Sequence, residues 1–73
     1  MAIISIPSDI TGTVWKVLVK PGDAVTEDSE LIILESMKME IPVTASEDAI
    51  VEEVCVQEGQ AISEGDVVVT LKV

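Results

Sequence analysis

The chain is expected to fold as an all-β sandwich or flattened barrel with pseudo-two-fold symmetry, built from about eight short strands by its turn spacing. Three observations support this expectation. Residues 12–36 set against residues 49–73 at a constant offset of 37 give 25 ungapped pairs, seven of them identical. The long apolar runs are dominated by β-branched residues and are broken by Gly, Pro, Asp and Ser. No stretch free of Gly and Pro sustains apolar residues at the i, i+3, i+4, i+7 spacing of a helix.

The identities are Val14/Val51, Val17/Val54, Val19/Val56, Gly22/Gly59, Ala24/Ala61, Glu27/Glu64 and Leu34/Leu71. Conservative pairs fill in between them: Val25/Ile62, Thr26/Ser63, Leu31/Val68 and Ile32/Val69. Ile6-Pro7 and Ile41-Pro42 are expected to correspond as well, with a two-residue shift. Each half is too short to bury a face alone, so the two must pack on each other as one domain.

In order along the first half, a strand over 3–6 ends in a turn over 8–11, where Ser, Asp and Thr cluster. A strand over 12–19 stops at Pro21-Gly22-Asp23. A short piece at Ala24-Val25 leads through a polar turn over 27–29 into a strand over 30–35. The second half repeats the order, with strands at 40–44, 50–56, 61–62 and 67–71 separated by turns at 46–48, 58–60 and 63–66. The shared valines step by three and then by two, from 14 to 17 to 19 and from 51 to 54 to 56. Such a step predicts a bulge or a strong twist at the same place in both halves, a device by which small sheets curve and protect their edges.

Composition narrows the function. Seventy-three residues make one small domain that buries only about 60% of its unfolded surface. With 48% hydrophobic residues, one Trp and no Phe or Tyr, the interior must be Val, Ile, Leu and Ala. A net charge of -10, from 14 acidic residues against four lysines and no arginine, repels phosphate backbones and anionic lipid headgroups. Neither nucleic acid nor membrane is therefore an expected partner. The N-terminus has no basic region, and no apolar run approaches the roughly 18–20 residues that span a bilayer. A cytoplasmic monomer is expected, and the solitary Cys55 agrees with a reducing compartment. With no His and one Cys, the chain cannot assemble a Ser/His/Asp or Cys/His triad, a His-containing zinc site or a thiolate cluster. The scattered carboxylates are expected to be a solvated exterior.

The two halves meet at a hairpin. Strands at 30–35 and 40–44 leave Met37-Lys38 at the tip of a tight turn, where two-residue loops ordinarily use Asn-Gly or Gly-X because both central residues need positive φ. Met-Lys is a poor choice for turn formation, and a local rule broken at an exposed turn marks a functional demand. Taken singly, each residue has a plainer reading. An exposed lysine is ordinarily a solvated charge, and a methionine beside a turn ordinarily fills a gap on the core. Trp15 is expected to be a partly buried packing residue. Cys55 is expected to be structural within an apolar strand, and Gly22 and Gly59 are turn glycines with no helix behind them to make a phosphate loop.

Together the two-fold repeat, the tight hairpin at its junction and the run Glu35-Ser36-Met37-Lys38-Met39 resemble the family of biotinyl and lipoyl attachment domains, whose biotin-type members carry Glu-Ala-Met-Lys-Met at this place. The resemblance covers essentially the whole chain, including Gly-Asp turns at Gly22-Asp23 and Gly65-Asp66. It departs from the pattern at Ser36, in having no Pro/Ala-rich linker, and in being too short for a protruding thumb insertion. The resemblance implies a barrel-sandwich hybrid of two four-stranded antiparallel sheets over residues 1–73. It also implies a free-standing carrier with biotin bound covalently to Lys38, while Met37, Met39, Glu35 and Ser36 serve recognition. The implied partners are a biotin protein ligase, a biotin carboxylase and a carboxyltransferase, with no catalysis by the domain itself. An ordinary lysine titrates near pH 10.4, so at pH 7 only about one such amine in two thousand is neutral, and acylation needs an enzyme. Lys16, Lys20 and Lys72, on or beside strands, are expected to be passed over. Two alternatives stand beside this one. Lipoate could be the cargo on the same lysine, although lipoyl domains usually carry Asp-Lys-Ala at the tip. An unmodified acidic β-barrel adaptor would leave Lys38 a free amine.

Overall fold

The computed structural model describes residues 2–73, all β and turn. Its eight strands are β1 (Ile3–Pro7), β2 (Gly12–Val17), β3 (Ala24–Val25), β4 (Glu30–Ser36), β5 (Met39–Thr44), β6 (Ala49–Val54), β7 (Ala61–Ile62) and β8 (Val67–Lys72). They form two four-stranded sheets, ordered β1-β8-β6-β3 and β5-β4-β2-β7, with every pairing antiparallel. Each half of the sequence gives two strands to each sheet, so neither half can form a sheet of its own. The expected all-β sandwich of two four-stranded sheets is the observed fold.

The repeat is more complete in space than in sequence. Thirteen apolar residues and Ser8 are buried, and all of them fall into pairs at the offset of 37: Ile6/Val43, Ser8/Ala45, Val14/Val51, Val25/Ile62, Leu31/Val68, Ile32/Val69 and Leu34/Leu71. Ser8 is the polar member of this set, and its hydroxyl is satisfied within its own turn by the carbonyl and N–H of Ile10. Turn hydrogen bonds repeat at the same offset. Lys20 N–H donates to Asp23 Oδ2 at 3.0 Å, and Gln57 N–H to Gln60 Oε1 at 3.1 Å. Likewise Thr26 N–H donates to Ser29 Oγ and Ser63 N–H to Asp66 Oδ2. The two-residue shift expected around the Ile-Pro pairs is absent: Ile6 matches Val43, facing Val69 and Ile32 respectively. The prolines mislead because both sit on edge strands, Pro7 at the end of β1 and Pro42 within β5, where a missing N–H breaks no second ladder.

The predicted bulge is present twice. The register shifts between Val14 and Lys16 against β4, and between Val51 and Glu53 against β8. It turns Trp15 outward, leaving that side chain 43% exposed where partial burial was expected. The Lys16 ammonium stands 5.5 Å from the Trp15 ring centroid, within cation–π range. Strand β6 stops at Val54, short of the expected 56, so Cys55 lies outside the strand and is exposed. Its N–H still reaches Val68 O at 2.8 Å, but its side chain is not part of the core.

Topology fixes which end of the 36 × 17 × 17 Å molecule carries the central hairpin. Thr13 pairs with Glu35 and Gly12 with Ile62, so the start of β2 and all of β7 lie beside the β4–β5 tip. The next turn joins the same end, because Glu64 N–H donates to Thr11 Oγ1 and Gly65 N–H to Ser8 O. Strand β8 runs away from that end and β1 runs back toward it, so the far end carries a reciprocal backbone pair, Ala2 N–H to Val73 O at 3.1 Å and Val73 N–H to Ala2 O at 2.9 Å.

Candidate functional site

Strands β4 and β5 pair through Leu34↔Ile41, Glu35↔Glu40 and Ser36↔Met39, leaving Met37 and Lys38 as the two central residues of the turn. Both have positive φ, 51° for Met37 and 68° for Lys38. That is the signature of the type I′ turn, whose twist matches a right-twisted hairpin. Asp28 is the other described non-glycine residue at positive φ, and Asp tolerates that region far better than Met or Lys. The chain therefore holds two unsuited residues in a strained conformation at the one place where the sequence put Met-Lys.

Neither methionine folds back. Met37 is 92% exposed and Met39 62%, so the gap-filling role considered for them does not apply. Lys38 is exposed between them. Among the described residues the ion pair present joins Lys72 Nζ to Glu52 Oε2 at 3.1 Å, which leaves the Lys38 ammonium without a carboxylate within salt-bridge distance. The other lysines are placed differently: Lys16 lies over Trp15, Lys72 is ion-paired on β8, and Lys20 belongs to the turn closed by Asp23. The described residues enclose no cavity and contain no cluster of metal-ligating side chains. An exposed primary amine on a projecting turn suits a covalently attached small group, and nothing nearby could hold such a group by enclosure.

Of the site residues expected from sequence, Glu35, Ser36, Met37, Lys38 and Met39 all lie on this one hairpin. Sequence reasoning passed over two neighbours. Glu40 stands directly across from Glu35, a like-charge pairing that opposes hairpin formation and concentrates negative charge just below the tip. The symmetric placement of Glu35 and Glu40 about the turn was the signal that could have found it. Gly12 opens β2 against the backbone of Glu35 and the Cβ of Ser36; only its neighbours in space reveal its role.

Below the membrane-spanning length, the described residues include no helix long and apolar enough to cross a bilayer. Comparison with known proteins places the hairpin in context. Residues 4–71 match the biotin/lipoyl family model described as "Biotin-requiring enzyme". The chain is 46% identical over 68 residues to a biotin/lipoyl attachment protein of Bacillus subtilis, covering 93% of each. It is 40% identical over 67 residues to a biotin carboxyl carrier protein of Streptococcus mutans, covering 92% of this chain and 52% of that one. In structure it superposes with a TM-score of 0.91 on part of the Kluyveromyces lactis urea carboxylase, at 30% identity, covering 97% of this chain and 6% of the larger one. A duplicated eight-strand sandwich, a Met-Lys-Met hairpin at its junction and a family match spanning nearly every residue give one conclusion: the chain belongs to the biotin/lipoyl attachment family.

Proposed function

We propose that this protein is a biotin carrier, acylated on Lys38 Nζ by a biotin protein ligase and then presented to a biotin carboxylase and a carboxyltransferase. The observation that carries the reading is the Met37-Lys38 turn, in which two residues ill-suited to positive φ are held fully exposed at the end of an otherwise well-ordered ladder. Relatives named as a biotin carboxyl carrier and as carboxylase chains support the cargo and the class of partner.

The acceptor chemistry is simple. The Lys38 ammonium gives up a proton to a base of the ligase; the freed nitrogen attacks the acyl carbon of biotinyl-adenylate, a C–N bond forms, and the C–O bond to AMP breaks. The domain contributes position. Its hairpin offers one amine at a defined angle and keeps the other three lysines off the tip, so binding energy in the ligase complex is spent on one nucleophile. Met37 and Met39 supply flexible, polarizable surface that more than one enzyme can read. Glu35, Ser36 and Glu40 set the polar ground beneath them. The attached biotin supplies a ureido nitrogen that takes up and releases a carboxyl group; the domain transports that group and does not transform it.

Intact mass and peptide mapping of the chain isolated from its native host test the proposal. A biotinyl adduct on Lys38 is expected, and Lys38→Arg is expected to abolish it, because guanidinium stays protonated. A lipoyl adduct would reassign the cargo. An unmodified Lys38 under biotin-replete conditions would return the chain to a simple adaptor.

A further inference from the structure

Three of the four glycines hold turns: Gly22, Gly59 and Gly65 have φ of 95°, 89° and 93°, and a side chain at any of them would meet open space. Gly12 is different. It lies in ordinary strand conformation, yet a Cβ built on it would sit 2.6 Å from the carbonyl oxygen of Glu35 and 3.4 Å from the Cβ of Ser36. The obstacle is backbone, at the last rungs before the Met37-Lys38 turn. Pseudo-symmetry supplies an internal comparison. The residue related to Gly12 by the offset of 37 is Ala49, which opens β6 one residue before Ile50 pairs with Lys72 of β8. One end of the fold thus accommodates a methyl group at this position, and the end that carries the lysine leaves no room for it.

We propose that Gly12 is a positioning residue for the acylation of Lys38: the missing side chain lets β2 close on the Glu35 carbonyl, and that close approach sets the angle at which the hairpin projects. The inference rests on the carrier reading above. Strand β2 cannot retreat freely, because Gly12 is paired on its other side with Ile62, which is buried in the core. A methyl group at residue 12 must therefore push the Glu35 carbonyl from 2.6 Å to beyond 3.0 Å, and the element free to move is the β4–β5 tip. Ser36 adjoins the turn, so a displacement at the rung tilts the Lys38 amine directly. Misplacement of a reacting atom by about 1 Å can lower a rate by about a hundredfold.

The test is Gly12→Ala beside Ala49→Gly, each followed by two-dimensional amide NMR and by biotinylation kinetics with a biotin protein ligase, the wild-type chain being the reference. For Gly12→Ala, amide shifts are expected to change at residues 12–13 and 35–40 and to stay in place elsewhere. The kcat for labelling is expected to fall roughly tenfold to a hundredfold and to stay low at saturating carrier. Ala49→Gly should label like wild type. A partly unfolded carrier would instead lower its own effective concentration, raising KM and leaving kcat unchanged, and that result would overturn the proposal. So would wild-type kinetics in Gly12→Ala, or global unfolding of that variant, which would make Gly12 a residue of general packing. Should the wild-type chain itself resist labelling, the carrier reading fails, while the shift pattern still decides whether Gly12 sets the hairpin.

Discussion

Replacing Met37-Lys38 by Asn-Gly should stabilise the fold and remove the proposed acceptor at once. Both central residues of the turn lie at positive φ, 51° and 68°, where a side chain with a Cβ costs about 1–2 kcal/mol per residue relative to right-handed backbone. Asn tolerates this region and Gly populates it freely, so most of that strain is removed. The added freedom of Gly in the unfolded chain returns about 0.5–1 kcal/mol. The net gain is about 1–2 kcal/mol. For 73 residues the unfolding entropy is about 0.15 kcal/mol/K, so Tm should rise by about 7–13 °C. Circular dichroism in the strand band, followed on heating, measures it. An unchanged or lowered Tm would refute the argument, since it would mean that Met37 and Lys38 are comfortable in the turn and that the local sequence records no functional demand.

Further outcomes follow from the same geometry. Met37→Ala and Met39→Ala should each change Tm by no more than the effect of a surface substitution, about 0.5 kcal/mol, while lowering the kcat/KM of ligase labelling; equal labelling would remove the methionines from recognition. Leu34→Ala, at a fully buried site on the strand that leads into the hairpin, should cost about 2–5 kcal/mol in urea denaturation. Desolvation raises the Cys55 thiol above its ordinary value, with further contributions from the charge of Glu53 and a hydrogen bond to it. The folded thiol therefore keeps its proton to higher pH than the unfolded one. Its small stabilising effect is full below the unfolded pKa and is lost as pH rises through the folded value. Alkylation by iodoacetamide near pH 8.5 should accordingly be slower for the folded chain than in urea, and faster in Glu53→Gln than in wild type.

Much of this architecture was legible before any coordinates, because duplication wrote it twice. The valine spacing at 14, 17 and 51, 54 located both bulges, and the implausible turn pair Met37-Lys38 located the tip. What escaped was information held in only one copy or in the third dimension. The match of Ile6 with Val43 and of Ser8 with Ala45 rests on burial and on shared hydrogen bonds, with no identical residues to betray it. Cys55 lies between Val54 and Val56 in sequence, yet β6 ends one residue earlier and Cys55 is exposed. Trp15 reads as a partly buried packing residue by size alone; the bulge is the feature that turns it out. Glycine at residue 12 looks like any strand opener until the Glu35 carbonyl is seen beside it.

The reciprocal hydrogen bonds between Ala2 and Val73 occupy the place that the offset of 37 assigns to Met39 and Ser36. Backbone pairing at the far end therefore reproduces the rung that Ser36 and Met39 form below the Met37-Lys38 turn. The scaffold of that rung is common to both ends of the sandwich, and what distinguishes the lysine end is the set of side chains displayed there.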